Sequence, residues 1–162
     1  MEKILRRNKY KKSMKRKIIF LDFDGVITTD KSKWKLDKEK LDIFGTLLEK
    51  TGAEIVISSS WRKHDLESTI KFITEPSHFV PFPFPYCEKV IGVTSRFRFK
   101  CRGEEIKSYI NENLEPGTFN YVILDDNNDM SDEQQEFFIE TDWELGINES
   151  DVEKAAEILN RE

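Results

Sequence analysis

The sequence predicts an α/β domain built on an open parallel sheet, and three observations carry that prediction. Short apolar runs rich in β-branched residues recur along the chain, at residues 18–21, 53–57 and 121–124. Each run ends at polar residues, first Asp22, then Ser58, then Asp125, as buried central strands do when they reach the carboxyl edge of a sheet. Between them lie segments with apolar residues at helical spacing, which is the alternation that covers both faces of a parallel sheet.

The chain's outer properties are consistent with this. Its 162 residues suit one domain large enough to hold a core without disulfides. With 35% charged and 38% hydrophobic residues, the composition is that of a soluble globular protein, expected in the cytoplasm and without a membrane partner. Cys87 and Cys101 form neither a Cys-x-x-Cys pair nor a disulfide framework. With His64 and His78 as the only histidines, the sequence argues against zinc and for a hard, oxygen-bound ion. Residues 1–17 carry nine Lys or Arg against Glu2, a net of +8; subtracted from the whole chain's −5, this leaves −13 for residues 18–162. A basic arm, residues 1–16, expected to be flexible, thus precedes an acidic body at 17–162, and such an arm suits a nucleic acid or another anionic surface.

Taken in order, the first strand runs through residues 18–21 into Asp22 and Asp24. If extended geometry persists through Asp24, both carboxylates share one face and favour a cation between them, and Gly25 then turns the chain away. A helix follows from Asp37 as N-cap through Leu41, Phe44, Leu47 and Leu48, stopping at Gly52. The second strand, 53–57, leads into Ser58, Ser59 and Ser60, whose hydroxyl and amide donors suit phosphate oxygens. A short helix carries Leu66, Ile70 and Ile73, with His64 placed on a helix surface. Residues 76–85 alternate proline with aromatic residues and form an extended loop. A third strand spans 89–94. Residues 96–100, Arg-Phe-Arg-Phe-Lys, interleave cations and rings in a pattern that suits stacked bases and phosphates, or a half-buried segment with its charges turned outward. Arg102 opens the next helix, through Ile106, Tyr109, Ile110 and Leu114, and a cation at that entrance, Arg102 ahead of Lys100 and Lys107, is expected to reach a bound phosphate. The fourth strand ends in Asp125 and Asp126, with Asp129 close behind; carboxylates so clustered repel one another and call for a divalent ion. A last apolar run at 137–139 precedes a helix capped by a box at Ser150 and Glu153.

The ordered set of residues 21–26 (Leu-Asp-Phe-Asp-Gly-Val), 57–62 (Ile-Ser-Ser-Ser-Trp-Arg), a basic residue near 102 and 124–129 (Leu-Asp-Asp-Asn-Asn-Asp) resembles the haloacid dehalogenase-like phosphohydrolases across nearly all of residues 17–160. The serine-tryptophan-arginine stretch, residues 90–94 and 102–106 and the ending at 141–146 resemble more narrowly the small bacterial and phage members assigned to RNA repair. The resemblance implies a three-layer, Rossmann-like sandwich whose five-stranded parallel sheet runs in the order 3-2-1-4-5, with no large cap.

It also implies roles. Asp22 is the nucleophile that becomes an aspartyl phosphate; Asp24 protonates the leaving oxygen and then activates water. Mg²⁺ is held by Asp22, the Asp24 carbonyl and the acids after the fourth strand, Asp126 ahead of Asp125. Ser58 binds the phosphoryl group, with Ser59 as the alternative, and Arg102 supplies the cation in competition with Lys100 and Lys107. Ser59, Arg62 and Lys100 are the further substrate-binding candidates. The expected function is a Mg²⁺-dependent phosphatase of a nucleic-acid 3′ end. A phosphatase of small molecules or nucleotides and a noncatalytic nucleic-acid-binding module are the alternatives.

Overall fold

β1 (Arg16–Leu21) is the central strand of a five-stranded sheet, flanked by β2 (Glu54–Ile57) and β4 (Phe119–Asp125), in this computed structural model describing residues 14–162. β3 (Val90–Val93) and β5 (Phe138–Glu140) lie at the edges, so the order is β3-β2-β1-β4-β5, with every pairing parallel. Most of the basic arm, residues 1–13, lies outside the described residues; Arg16 is already in β1, paired through its guanidinium with Glu54 at 2.9 Å.

The sheet is buried on both faces because its strands alternate between two cores. Ile19, Leu21, Ile55, Ile57, Val122 and Leu124 face one side, while Ile18, Phe20, Val56 and Ile123 face the other. On the first side pack α1 (Lys38–Thr51) and α4 (Glu149–Leu159), with α2 (Leu66–Thr74) contributing Ile73; on the second lies α3 (Arg102–Asn113), through Ile106, Tyr109 and Ile110. The predicted three layers are therefore present. No large cap interrupts the described residues, and none of their helices is long and apolar enough to cross a membrane.

Local signals fix most helix ends. Asp37 caps α1 by accepting from the amide of Glu39 at 3.0 Å, and Gly52 ends it in the left-handed region at φ 65°. The final helix differs from expectation: its cap is Asn148, not Ser150. The Asn148 side chain accepts from the Asp151 amide at 2.9 Å while the Asp151 carboxylate accepts from the Asn148 amide at 3.1 Å. Backbone conformation decides between the two boxes, because Asn148 is extended (φ −130°, ψ 175°) whereas Ser150 is already helical. His64 likewise precedes α2 rather than sitting on it, exposed beside Asp65.

Register is what positions the site. Leu21 stands opposite both Ile57 and Leu124. The ladder continues one residue further, with the Ser58 amide donating to the Leu21 carbonyl at 3.1 Å and the Asp22 amide to the Leu124 carbonyl at 3.0 Å. Asp22, Ser58 and Asp125 are consequently neighbours along one sheet edge.

Candidate active site

Past Asp22 the chain turns. The Phe23 carbonyl accepts from the amides of Val26, Ile27 and Thr28, and Gly25 takes φ +78°. The chain turns over residues 23–28, and the carboxylates that converge with Asp22 are those of Asp125 and Asp126, not that of Asp24. Instead, one oxygen of Asp24 accepts from Trp61 Nε1 at 3.0 Å and from Thr28 Oγ1 at 2.8 Å. These two donors fix the direction of the carboxylate. Trp61 is itself held by packing on Phe23, at 5.2 Å between ring centroids, and on Phe72 at 5.8 Å.

Asp22 meets Asp125 and Asp126 instead. One oxygen from each lies within 4.8 Å of the other two. Gly25 makes room for this: a Cβ there would collide with the Asp126 carboxylate, on a backbone conformation that already favours glycine. Arg102 reaches between the acids, its Nη1 3.1 Å from Asp125 and 3.5 Å from Asp22. Its position is set by the start of α3, where the Arg102 amide donates to Asp129 at 3.0 Å. Together with Lys100 and Asp129 these residues line a cleft of about 240 Å³.

One guanidinium does not offset three acids in a buried place. Burial raises the Asp22 carboxyl well above the usual carboxylate range, and Asp125 and Asp126 add to the rise, while Arg102 and the Ser59 hydroxyl oppose it. Asp125 is pushed up to about 6, again chiefly by burial, against the pull of Arg102 and the Asn127 amide. The donor set, three carboxylate oxygens converging with a net deficit of positive charge, fits a hard divalent cation.

The serine turn is fixed from below. Ser58 is fully buried, and its hydroxyl has no hydrogen-bond partner among the described residues; Ser59 Oγ accepts from the Trp61 amide at 3.1 Å. Arg62 corrects the expectation placed on it. It is buried, donating through Nη1 to the carbonyls of Ser58 and Ser59 at 2.9 and 2.8 Å and pairing through Nη2 with Glu105. These contacts turn the guanidinium inward, tying the serine turn to α3. Among the three candidate cations, Arg102 is at the acids and Lys100 at the cleft wall, whereas Lys107 lies 3.7 Å from Glu133. Trp61, Thr28 and Glu105 are the site residues that the sequence reading left without a role. Trp61 stood inside the serine motif, but nothing local marks Glu105 as the partner of a residue 43 positions away.

No curated protein and no solved structure matches the chain. The family described as HAD domain in Swiss Army Knife RNA repair proteins matches residues 18–152, from the second half of β1 into α4. The chain belongs to this family of haloacid dehalogenase-type domains.

Proposed function

We propose that this domain is a Mg²⁺-dependent phosphomonoesterase that works through Asp22 and acts on the 3′-phosphate of a nucleic-acid end. The observation that carries the reading is the convergence of Asp22, Asp125, Asp126 and Arg102 at the carboxyl edge of β1 and β4, beside the serine turn. Phosphoryl transfer needs a nucleophile, a proton donor and positive charge on the nonbridging oxygens.

An Asp22 oxygen attacks phosphorus and the ester P–O bond breaks, leaving an aspartyl phosphate. Asp24, aimed by Trp61 and Thr28, gives its proton to the departing oxygen. It then takes a proton from the water that attacks the same phosphorus, releasing inorganic phosphate and restoring Asp22. Arg102 balances the charge on the phosphoryl oxygens, and Ser58 or Ser59 donates to them. Asp22, Asp126 and Asp125, with the Asp24 carbonyl, would hold the ion, which when bound supplies charge neutralisation and keeps Asp22 ionised as a nucleophile must be.

The open edge and the family support this choice of substrate. With no large cap among the described residues, the cleft stays accessible to the end of a polymer, and the family's members belong to RNA repair proteins. One observation favours a smaller monoester: Phe79, from the proline-rich loop, lies half exposed 6.3 Å from Trp61 and could narrow the entrance. Mg²⁺-dependent phosphate release from a 3′-phosphorylated oligonucleotide, a free nucleotide and an aryl phosphate separates these readings. The proposal expects turnover of all three, highest kcat/KM on the oligonucleotide, and loss of all three in Asp22→Asn. Equal turnover of oligonucleotide and nucleotide would remove the end specificity. Folded protein that binds nucleic acid without any turnover would replace the enzyme with a binding module.

A further inference from the structure

The segment at residues 96–100 is not consumed by the chemistry above, and its geometry is unusual for an incidental loop. Phe99 is 95% exposed and holds a left-handed backbone, φ +65°, that non-glycine residues adopt infrequently. The turn is not loose at its root. The Arg96 guanidinium donates to the carbonyl of Ser60 and, at 2.9 Å, to that of Arg62, so the segment is clamped to the serine turn. At its far end Lys100 lines the acid cleft. Each ring carries a cation: Arg98 lies 5.3 Å from the Phe99 centroid and Lys100 5.2 Å from that of Phe97. Neither Arg98 nor Lys100 forms an ion pair among the described residues, and both belong to a body whose net charge is strongly negative.

We propose that Phe99, Arg98 and Lys100 form a nucleic-acid lip on the active-site cleft. Phe99 stacks on a base of the strand whose terminal phosphate enters the cleft, while Arg98 and Lys100 contact the backbone beside it. Alternating aromatic planes and cations match a single strand, in which every base offers a flat face and every linkage a negative charge. The clamp through Arg96 keeps the lip at a fixed distance from the serine turn. The proposal rests on the end-phosphatase reading for the direction of the strand, but the first of its two measurements reads binding alone.

The first measurement is fluorescence anisotropy of a short labelled single-stranded RNA ending in a 3′-hydroxyl. Phe99→Ala is expected to weaken binding about tenfold or more. Arg98→Gln is expected to make the slope of log affinity against log salt shallower by roughly 0.7. Because Phe99 is on the surface, its loss leaves the fold in place, which a circular-dichroism melt confirms. The second measurement replaces the base nearest the phosphorylated end with an abasic residue: wild type loses about tenfold in kcat/KM, and Phe99→Ala shows no such sensitivity. Unchanged affinity in Phe99→Ala, or an equal abasic penalty in both proteins, overturns the lip. Binding of an acidic peptide in place of the RNA also overturns it, in favour of a protein partner. Failure of the phosphatase reading shows separately, as absent turnover of an aryl phosphate while the anisotropy result stands.

Discussion

Replacing Arg62 tests whether the serine turn is held by the buried Arg62–Glu105 pair. The two side chains are 3% and 9% exposed, so deleting the guanidinium leaves the Glu105 carboxylate of α3 buried without its partner and two serine carbonyls without their donor. Breaking a buried ion pair from one side costs about 3–5 kcal/mol. For a chain of this length each kcal/mol moves the melting temperature by roughly 2–4 °C, so Arg62→Met is expected to melt roughly 10 °C below wild type. The double variant Arg62→Met with Glu105→Leu removes both charges. It should regain most of that loss, since an apolar pair of similar volume avoids the cost of desolvating ions. Activity should not return with it, because the carbonyls of Ser58 and Ser59 stay unclamped and the turn loses its aim. Thermal unfolding followed by circular dichroism, alongside aryl phosphate turnover, reads both quantities. An Arg62→Met protein that melts within about 1 °C of wild type would refute the reasoning, since only surface substitutions away from packed networks are normally so mild.

Three further outcomes follow from the same geometry. Trp61→Phe keeps an aromatic ring against Phe23 but removes one of the two donors to Asp24; kcat should fall by the equivalent of about 1 kcal/mol, the worth of one hydrogen bond, with a modest fall in melting temperature from the space the smaller ring leaves. Gly25→Ala puts a Cβ onto the Asp126 carboxylate and costs about 1–2 kcal/mol for the left-handed backbone alone, so both turnover and thermal stability should drop. Mg²⁺ at 100 times its dissociation constant should stabilise the protein by about 2.7 kcal/mol, seen in calorimetry as an upward shift that Asp126→Asn largely abolishes.

Much of the fold was legible because strand burial and strand termini are written locally. The runs ending at Leu21, Ile57 and Leu124 read as strands by composition, and their register then places Asp22, Ser58 and Asp125 side by side. The direction of Asp24 was not legible. It depends on three amides folding back onto the Phe23 carbonyl and on an indole from a separate turn, neither of which an alternating pattern encodes. Arg62 misled for a similar reason: next to serines it looks like an anion ligand, and only its distant partner Glu105 shows that its charge is already used. The cap of α4 shows a milder form of the problem, because Asn148 with Asp151 and Ser150 with Glu153 both fit a capping box, and the chain's entry into the helix chooses the first. Arg102 emerged from three nearby cations because the start of α3, pinned by Asp129, delivers it to the acids.

The most direct test of the account is capture of the phosphorylated intermediate. Wild-type protein mixed with Mg²⁺ and a radiolabelled phosphomonoester, quenched in acid within one turnover, should carry label that hydroxylamine releases and that peptide mapping locates at Asp22. Asp22→Asn, shown to be folded, should carry none and release no phosphate. Phosphate release from wild type without any acid-stable protein label, or turnover retained in Asp22→Asn, would contradict the assignment of Asp22 as the nucleophile.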